Sequence, residues 1–166
     1  SIAYGCTSGT IASGNRVIRS KILKAKPKSK VSDPISSAIN AFKKLKNKKL
    51  TIFTPYAESI NKTVVDYLIK RNFKIIEFHY LNLSSDVDIG QVDIKFLFNY
   101  LSKLKLKNSD GLFISCTALP VLDILDKLEK KLKKNVLSSN QVLIWDSLRN
   151  AGYKKPIKGY GRLMRI

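Results

Sequence analysis

Two short stretches of this sequence share one form. In Ile2-Ala3-Tyr4-Gly5-Cys6-Thr7-Ser8 and in Leu112-Phe113-Ile114-Ser115-Cys116-Thr117-Ala118, an apolar run ends on a small residue, then on Cys-Thr and a second small residue. Such an echo suggests two related halves, each presenting a thiol at the carboxyl end of a strand, where open parallel sheets bind ligands. Two thiols converging on one cleft can divide a proton-transfer reaction. One, as thiolate, is base or nucleophile, and the other supplies a proton. A helix N-terminus following such a Cys offers partial positive charge and free N–H groups, which favour thiolate. The hydroxyls of Thr7, Ser8 and Thr117 fall in the same turns and, with backbone donors, could hold a carboxylate or an enolate oxyanion. Against this stands a plainer reading, in which each Cys is a small buried hydrophobe and the Thr and Ser residues cap helices. The repeated context favours the chemical reading.

Other residues are weighed beside these. Tyr56, in Phe53-Thr54-Pro55-Tyr56, follows a strand end, where a phenol can hydrogen-bond a carboxylate or simply pack with its hydroxyl wetted. Asn140 opens a helix after Ser138-Ser139 and reads first as a cap. His79 lies in an apolar strand and reads as structural, while Asp86 and Asp88 read as turn residues before Gly90. Two widely separated cysteines make neither a disulfide framework nor a metal-ligand pattern. A single His leaves no basis for a zinc site or a Ser-His-Asp triad. The chemistry these residues suggest requires no metal and no organic cofactor.

The elements that must position them follow from hydrophobic period. Short apolar runs alternate with stretches of helical spacing, the pattern of βα units and a parallel sheet, so the fold class is α/β. Strands are expected at Ile2–Tyr4, Leu50–Thr54, Lys74–Tyr80, Gly111–Ser115 and Asn135–Ser138, with a weaker one at Lys30–Ser32. Ser32-Asp33-Pro34 supplies an N-cap and a first-turn proline for a helix reaching about Lys46. Ile35, Ala38, Ile39, Phe42 and Leu45 mark its buried face. Further helices are expected at about Ser59–Arg71, Val92–Leu104, Leu119–Lys133 and Asn140–Ala151.

The 166 residues, 44% hydrophobic and 26% charged, suit one globular domain or two small lobes, and argue against disorder. A charge of +19 first suggests nucleic acid or an anionic membrane surface. Yet Lys outnumbers Arg by 25 to 6, and Arg is the better residue for bidentate phosphate and base contacts. With 11 Asn and many Ile, the lysines resemble the drift of a low-GC genome on solvated faces, and nucleic acid ranks low among partners. No signal peptide or membrane-length apolar run is present, so a cytoplasmic location is expected. The only Met is Met164, which suggests a fragment or a processed start.

Five stretches, in this order, resemble a known family: Gly5-Cys6-Thr7-Ser8-Gly9-Thr10, Thr54-Pro55-Tyr56, Asp88-Ile89-Gly90, Ser115-Cys116-Thr117, and Ser138-Ser139-Asn140-Gln141 before Trp145. The set is similar to the maleate isomerase and arylmalonate decarboxylase branch of the aspartate/glutamate racemase superfamily. The resemblance implies two Rossmann-like lobes with parallel sheets, related by a pseudo-twofold, with the active site between them. Family members extend further at the N-terminus. The chain is therefore expected to be a C-terminal fragment with an incomplete first lobe, missing an amino-terminal Asn that binds substrate carboxylate, and with little activity alone. The expected divisions are a partial first lobe over 1–47, a second lobe over 48–137, and a C-terminal helix and tail over 138–166 that return to the first lobe. A homo-oligomer is compatible with this reading.

The resemblance also sets roles. Arylmalonate decarboxylases keep only the second Cys, whereas maleate isomerases and amino-acid racemases use both. Racemases usually show Cys-Asn-Thr at the first site, and this chain has Cys6-Thr7-Ser8, so the isomerase branch leads. It implies catalysis by Cys6 and Cys116 on a small dicarboxylate or amino-acid-like substrate, with Thr7, Ser8, Tyr56, Thr117, Asp86 and Asn140 as substrate-binding residues. Asp86 stands roughly where maleate isomerases carry an Asn ligand, and an ionised carboxylate there would repel a dianion. The alternatives are a racemase or arylmalonate-type decarboxylase with Cys116 as proton donor and, more remotely, a basic nucleic-acid-binding module.

Overall fold

A computed structural model describes residues 1–166. Strands β1 (Ile2–Ala3) and β2 (Val31–Ser32) pair in parallel, Ile2 opposite Val31 and Ala3 opposite Ser32. Between them run two helices, α1 (Thr7–Ser13) and α2 (Asn15–Ala25), joined at Gly14, whose φ of 80° suits glycine. β2 leads into α3 (Pro34–Lys44), which starts as the sequence predicts. Asp33 Oδ1 accepts the Ser36 N–H at 2.8 Å, and Pro34 takes the first helical position.

The second sheet holds β3 (Lys49–Tyr56), β4 (Lys74–Leu83), β5 (Gly111–Ile114) and β6 (Asn135–Ser138), all parallel in the order β4-β3-β5-β6. β3 is central and buried from Leu50 to Tyr56, whereas β4 is an edge strand without a fully buried residue. The connecting helices are α4 (Glu58–Ile69), α5 (Asp86–Gly90), α6 (Ile94–Leu101), α7 (Leu125–Leu132) and α8 (Ser139–Asn150). No helix is long and apolar enough to cross a membrane.

The echo in the sequence is an echo in the fold. β1 leads to Cys6, and the β2 that pairs with it leads to α3; β5 leads to Cys116, and its partner β6 leads to α8. α3 and α8 pack against each other and tie the two sheets together. Phe42 of α3 meets the rings of Phe113 on β5 and Phe73 before β4 edge-on, each at 5.2 Å between centroids. A polar staple seals the other side of the helix pair. The Asp146 carboxylate on α8 accepts from Ser32 Oγ at 2.7 Å, Ser37 Oγ at 3.0 Å, Asn40 Nδ2 at 3.1 Å and Asn150 Nδ2 at 3.3 Å. Beyond α8 the tail folds back over α7 and α8. Trp145 Nε1 donates to Ile166 O at 3.1 Å, and the half-buried Glu129 carboxylate accepts the N–H groups of Val136 at 3.1 Å and Arg162 at 2.6 Å.

Several expected boundaries move for local reasons. β3 and β4 run past Thr54 and Tyr80 to Tyr56 and Leu83, carried by parallel pairing that pattern alone does not register. The stretch read as one helix from Val92 begins instead at Ile94, because Asp93 Oδ1 accepts the Phe96 N–H at 2.7 Å. Asp86 and Asp88, read as turn residues, form the first turn of α5, capped by Ser85. The helix expected from Leu119 begins at Leu125 after a 3-10 turn over Leu122–Ile124, since Pro120 disfavours helical backbone at Leu119. α8 is capped by Ser138, accepting the Gln141 N–H at 3.2 Å, and Asn140 lies inside it rather than at its cap. α2 was not expected: it buries no residue completely and is rich in Lys and Arg.

Asp146 ties β2 and α3 to α8, and its loss would leave the buried Ser32 and Ser37 hydroxyls without their acceptor. The Asp146→Ala variant is expected to lose about 2 kcal/mol of folding stability. In urea titration this reads as a lower midpoint at unchanged slope, and an unmoved midpoint would show that the staple contributes nothing.

Candidate active site

Each thiol stands just beyond a strand end, and the two loops are cross-linked. Cys6 is the N-cap of α1. Its Sγ accepts the Gly9 N–H at 3.2 Å and lies 3.8 Å from Ser8 Oγ. Gly9 is required here by space, because a Cβ at this position would fall 2.9 Å from Cys6 Sγ and 3.0 Å from the Tyr4 hydroxyl. Thr10 Oγ1 donates to Cys6 O at 2.6 Å and fixes the turn from below. Cys116 is held differently. It opens a loop, not a helix, and its Sγ receives the Ala118 N–H at 3.4 Å.

One hydrogen bond joins the two loops directly and a second link runs through Ser139 of α8. Thr117 Oγ1 donates to Gly5 O at 2.7 Å. The Thr7 hydroxyl donates to Ser139 Oγ at 3.0 Å, and the same Ser139 oxygen accepts the Cys116 N–H at 3.1 Å. Thr7 and Ser139 are both buried, so these bonds form without competing water. Asn140 Nδ2 donates to Thr117 O at 2.9 Å and anchors the Cys116 loop to α8.

Tyr56, the last residue of β3 and buried, points its phenol at the Cys116 thiol and the Thr7 hydroxyl, with Cys6 near enough for its charge to act on it. Asn61 holds this strand end by donating to Tyr56 O at 2.9 Å and by accepting from the Thr54 hydroxyl. Burial pushes the Tyr56 phenol far above its ordinary range, and the neighbouring Cys116 adds to the shift, so Tyr56 remains a hydrogen-bond donor. Burial likewise pushes the Cys116 thiol up. The Tyr56 phenol and the Ala118 and Leu119 amides partly offset that, and the Asp86 charge adds to it. Cys116 is therefore a protonated thiol at neutral pH. Cys6 is only partly buried.

The structure thus gathers Cys6, Thr7, Tyr56, Cys116, Thr117 and Asn140 around one point. The hydroxyl protons of Thr7 and Thr117 and one amide proton of Asn140 serve the scaffold. Ser8 sits beside Cys6 at the edge of an apolar cleft between α1 and α4, lined also by Ile11, Ala12, Ile60 and Val64. Asp86 is exposed on α5, at the rim on the Cys116 side. Sequence reasoning missed Ser139, Gly9 and Asn61 as site residues. Ser139 was in view only as half of a Ser-Ser pair before a helix, and nothing local says which serine caps and which bridges. No group of three or more His, Cys, Asp or Glu side chains is arranged to hold a metal ion.

Comparison with known proteins places the chain in a family. The chain is 23% identical over 171 aligned residues to a maleate isomerase of Alcaligenes faecalis, an alignment covering 98% of this chain and 68% of the relative. It is 26% identical over 131 residues to an arylmalonate decarboxylase of Bordetella bronchiseptica, covering 77% of this chain and 55% of that protein. Among solved structures, the fold matches a Cys-to-Ser mutant of Nocardia farcinica maleate cis-trans isomerase that carries a covalently bound succinylcysteine intermediate. That match has a TM-score of 0.90 at 21% identity, over 98% of this chain and 70% of the other. The family model for arylmalonate decarboxylase matches residues 20–164, which takes in Tyr56, Cys116, Ser139 and all of the second sheet. By that match the chain belongs to the arylmalonate decarboxylase family.

Proposed function

We propose that this chain carries the two-thiol centre of a cofactor-independent cis–trans isomerase acting on a small butenedioate of the maleate type. The observation that carries the reading is the pairing of two thiols in different settings, Cys6 partly open and Cys116 buried, cross-linked through Ser139 and facing one phenol. A decarboxylase-type reaction requires one thiol as proton donor; both positions are filled here. The succinylcysteine seen in the Nocardia relative is the adduct that a thiol and a butenedioate would form.

In this reading the Cys6 thiolate adds to one alkene carbon, and the π electrons move to the neighbouring carbon and into its carboxylate. Cys116 gives its proton to that carbon, leaving a succinyl thioether with a single bond free to rotate. After rotation the Cys116 thiolate removes the proton, the C–S bond breaks with its electrons returning to Cys6, and the trans alkene leaves. Both thiols end as they began. Tyr56 and Ser8 hold carboxylate oxygens and favour the enolate-like charge that builds up at the acceptor end. A thiol raised by burial gives a thiolate basic enough to reclaim a proton from carbon, which suits Cys116 to both directions of transfer.

Maleate-to-fumarate conversion, followed by ultraviolet absorbance, is the direct test. It should be run on this chain and, where the gene runs further upstream, on the longer product. Cys6→Ser and Cys116→Ser should each lower turnover about a thousandfold or more, and near-normal activity in either variant would sink the two-thiol mechanism. Intact-mass measurement separates the roles. Cys116→Ser should accumulate protein heavier by one substrate molecule, and Cys6→Ser should not. The pH profile carries a sign. Because Cys116 must be protonated and burial raises it, activity should persist above the ordinary thiol range and fall only as pH climbs through the raised value. An alkaline fall in activity that begins below that range would assign the proton to another group.

A further inference from the structure

Arginine is rare in this chain, 6 residues against 25 lysines. Three of the six use the planar guanidinium. Arg71 lies over the Tyr67 ring, 3.4 Å from its centroid, and donates to Tyr67 O at 3.1 Å. Arg149 holds two carbonyls at once, Tyr153 O at 2.7 Å and Ile166 O at 2.9 Å. Arg165 reaches the Asp126 carboxylate at 3.4 Å. Arg162 sits in the tail, where its backbone N–H is bonded to Glu129. Arg16 and Arg19 remain. They stand one turn apart on α2, both exposed, and both border a cleft of about 410 Å³ between α2, α3 and α8, together with Lys30 just before β2.

The ion pairs of the chain are made by His79, Lys130 and Arg165, so these three cations have none. The cleft also holds two carboxylates, and both are taken by donors of their own wall. Asp33 accepts the Ser36 N–H, and Asp146 accepts from Ser32, Ser37, Asn40 and Asn150. Because a carboxylate can only accept, Asn40 and Asn150 must turn their amide nitrogens to Asp146, and their carbonyl oxygens accept nothing within the chain. The cleft is therefore two-sided, with unpaired cations on one wall and carbonyl acceptors on the other, and it has the volume of a small-molecule site. The first wall suits a phosphate, which an arginine fork binds through two parallel N–H···O bonds. The second suits hydroxyls, which donate.

We propose that this cleft binds a phosphorylated sugar, its phosphate held by Arg16, Arg19 and Lys30 and its hydroxyls donating to Asn40 and Asn150. The site shares no residue with the thiol centre and does not depend on the two-thiol reading. A free sugar phosphate and a nucleotide both carry these two groups, and the test separates them.

Titration calorimetry at neutral pH and low salt, with ribose 5-phosphate and adenosine monophosphate as probes and ribose and inorganic phosphate as their halves, tests this. The unmodified protein should bind at least one phosphorylated probe about tenfold more tightly than either half. The double variant Arg16→Lys, Arg19→Lys keeps the charge but loses the forks, and should weaken that binding about tenfold. Its two positions are exposed on a helix that buries no residue completely, so it should fold as the unmodified protein does. Arg162→Lys, in the basic cleft at the other end of the sheet, should change nothing. Tighter binding of adenosine monophosphate than of ribose 5-phosphate assigns the site to nucleotides, and equal or weaker binding assigns it to free sugar phosphates. Binding of neither probe overturns the proposal, as does binding unaltered in the double variant, or inorganic phosphate bound as tightly as either probe. Cys6→Ser should leave the binding unchanged, and its loss there would place the ligand in the thiol centre and overturn the proposal too.

Discussion

The Ser139 oxygen is the point on which the two halves of the centre turn. It accepts from Thr7, next to Cys6, and from the Cys116 amide, so a single hydroxyl sets the relative position of both thiol loops. For that oxygen to be in place, β6 must end where it does in register with β5, Ile114 opposite Ser138, and α8 must start at the very next residue. The start of α8 is fixed by Ser138 as cap, and its direction by the α3 contact and the Asp146 staple. Because all of this is buried, misplacing the hydroxyl would leave an unpaired amide and an unpaired Thr7 hydroxyl in a dry site, a cost that holds the geometry tightly.

The two thiols repeat in sequence but not in setting, and the difference is what makes them a pair of unlike reagents. Cys6 caps a short helix at the edge of an open cleft, with the Gly9 amide on its sulfur. Cys116 is 4% exposed at the end of a strand whose every residue is buried, and its amide donors come from an irregular loop. In the proposed reaction, an environment that disfavours charge on one sulfur while leaving the other partly open separates acid from nucleophile without any change of residue type. Duplication of one strand–Cys–Thr form thus supplied two thiols, and the packing around them supplied the asymmetry.

What could be read in the sequence was whatever local chemistry decides. The Cys-Thr echo, the Asp33-Pro34 helix start and the apolar strands are all local signals, and each appears in the fold where the residues put it. Tyr56 was legible only as a residue just past a strand end, whereas it is the last residue of β3, and Asn61, five residues on and outside any motif, holds its carbonyl. Ser139 was not legible, since its partners lie 132 and 23 residues away and its role differs from that of Ser138 only in three dimensions. α2 escaped for the opposite reason. Its apolar residues, Val17, Ile18, Ile22 and Leu23, are few among Arg and Lys, none is completely buried, and Gly14 looks like an ordinary turn.

The large positive charge is the most conspicuous feature of the composition and contributes least to the centre. Neutral donors and two sulfurs line it, and the lysines lie on the outside, around clefts such as the one bordered by Lys130, Lys133, Lys134, Arg162 and Arg165 at the opposite end of the sheet from the thiols. A cation close to Cys116 would lower that thiol and weaken it as a proton carrier. A cation close to Tyr56 would favour the phenolate and remove a donor. In the proposed reaction, keeping Lys and Arg away from the two groups that must stay protonated is therefore a requirement. In a chain this basic, it is met by burying both groups against apolar strands, β3 for Tyr56 and β5 for Cys116, where a lysine side chain could not follow without losing its own hydration.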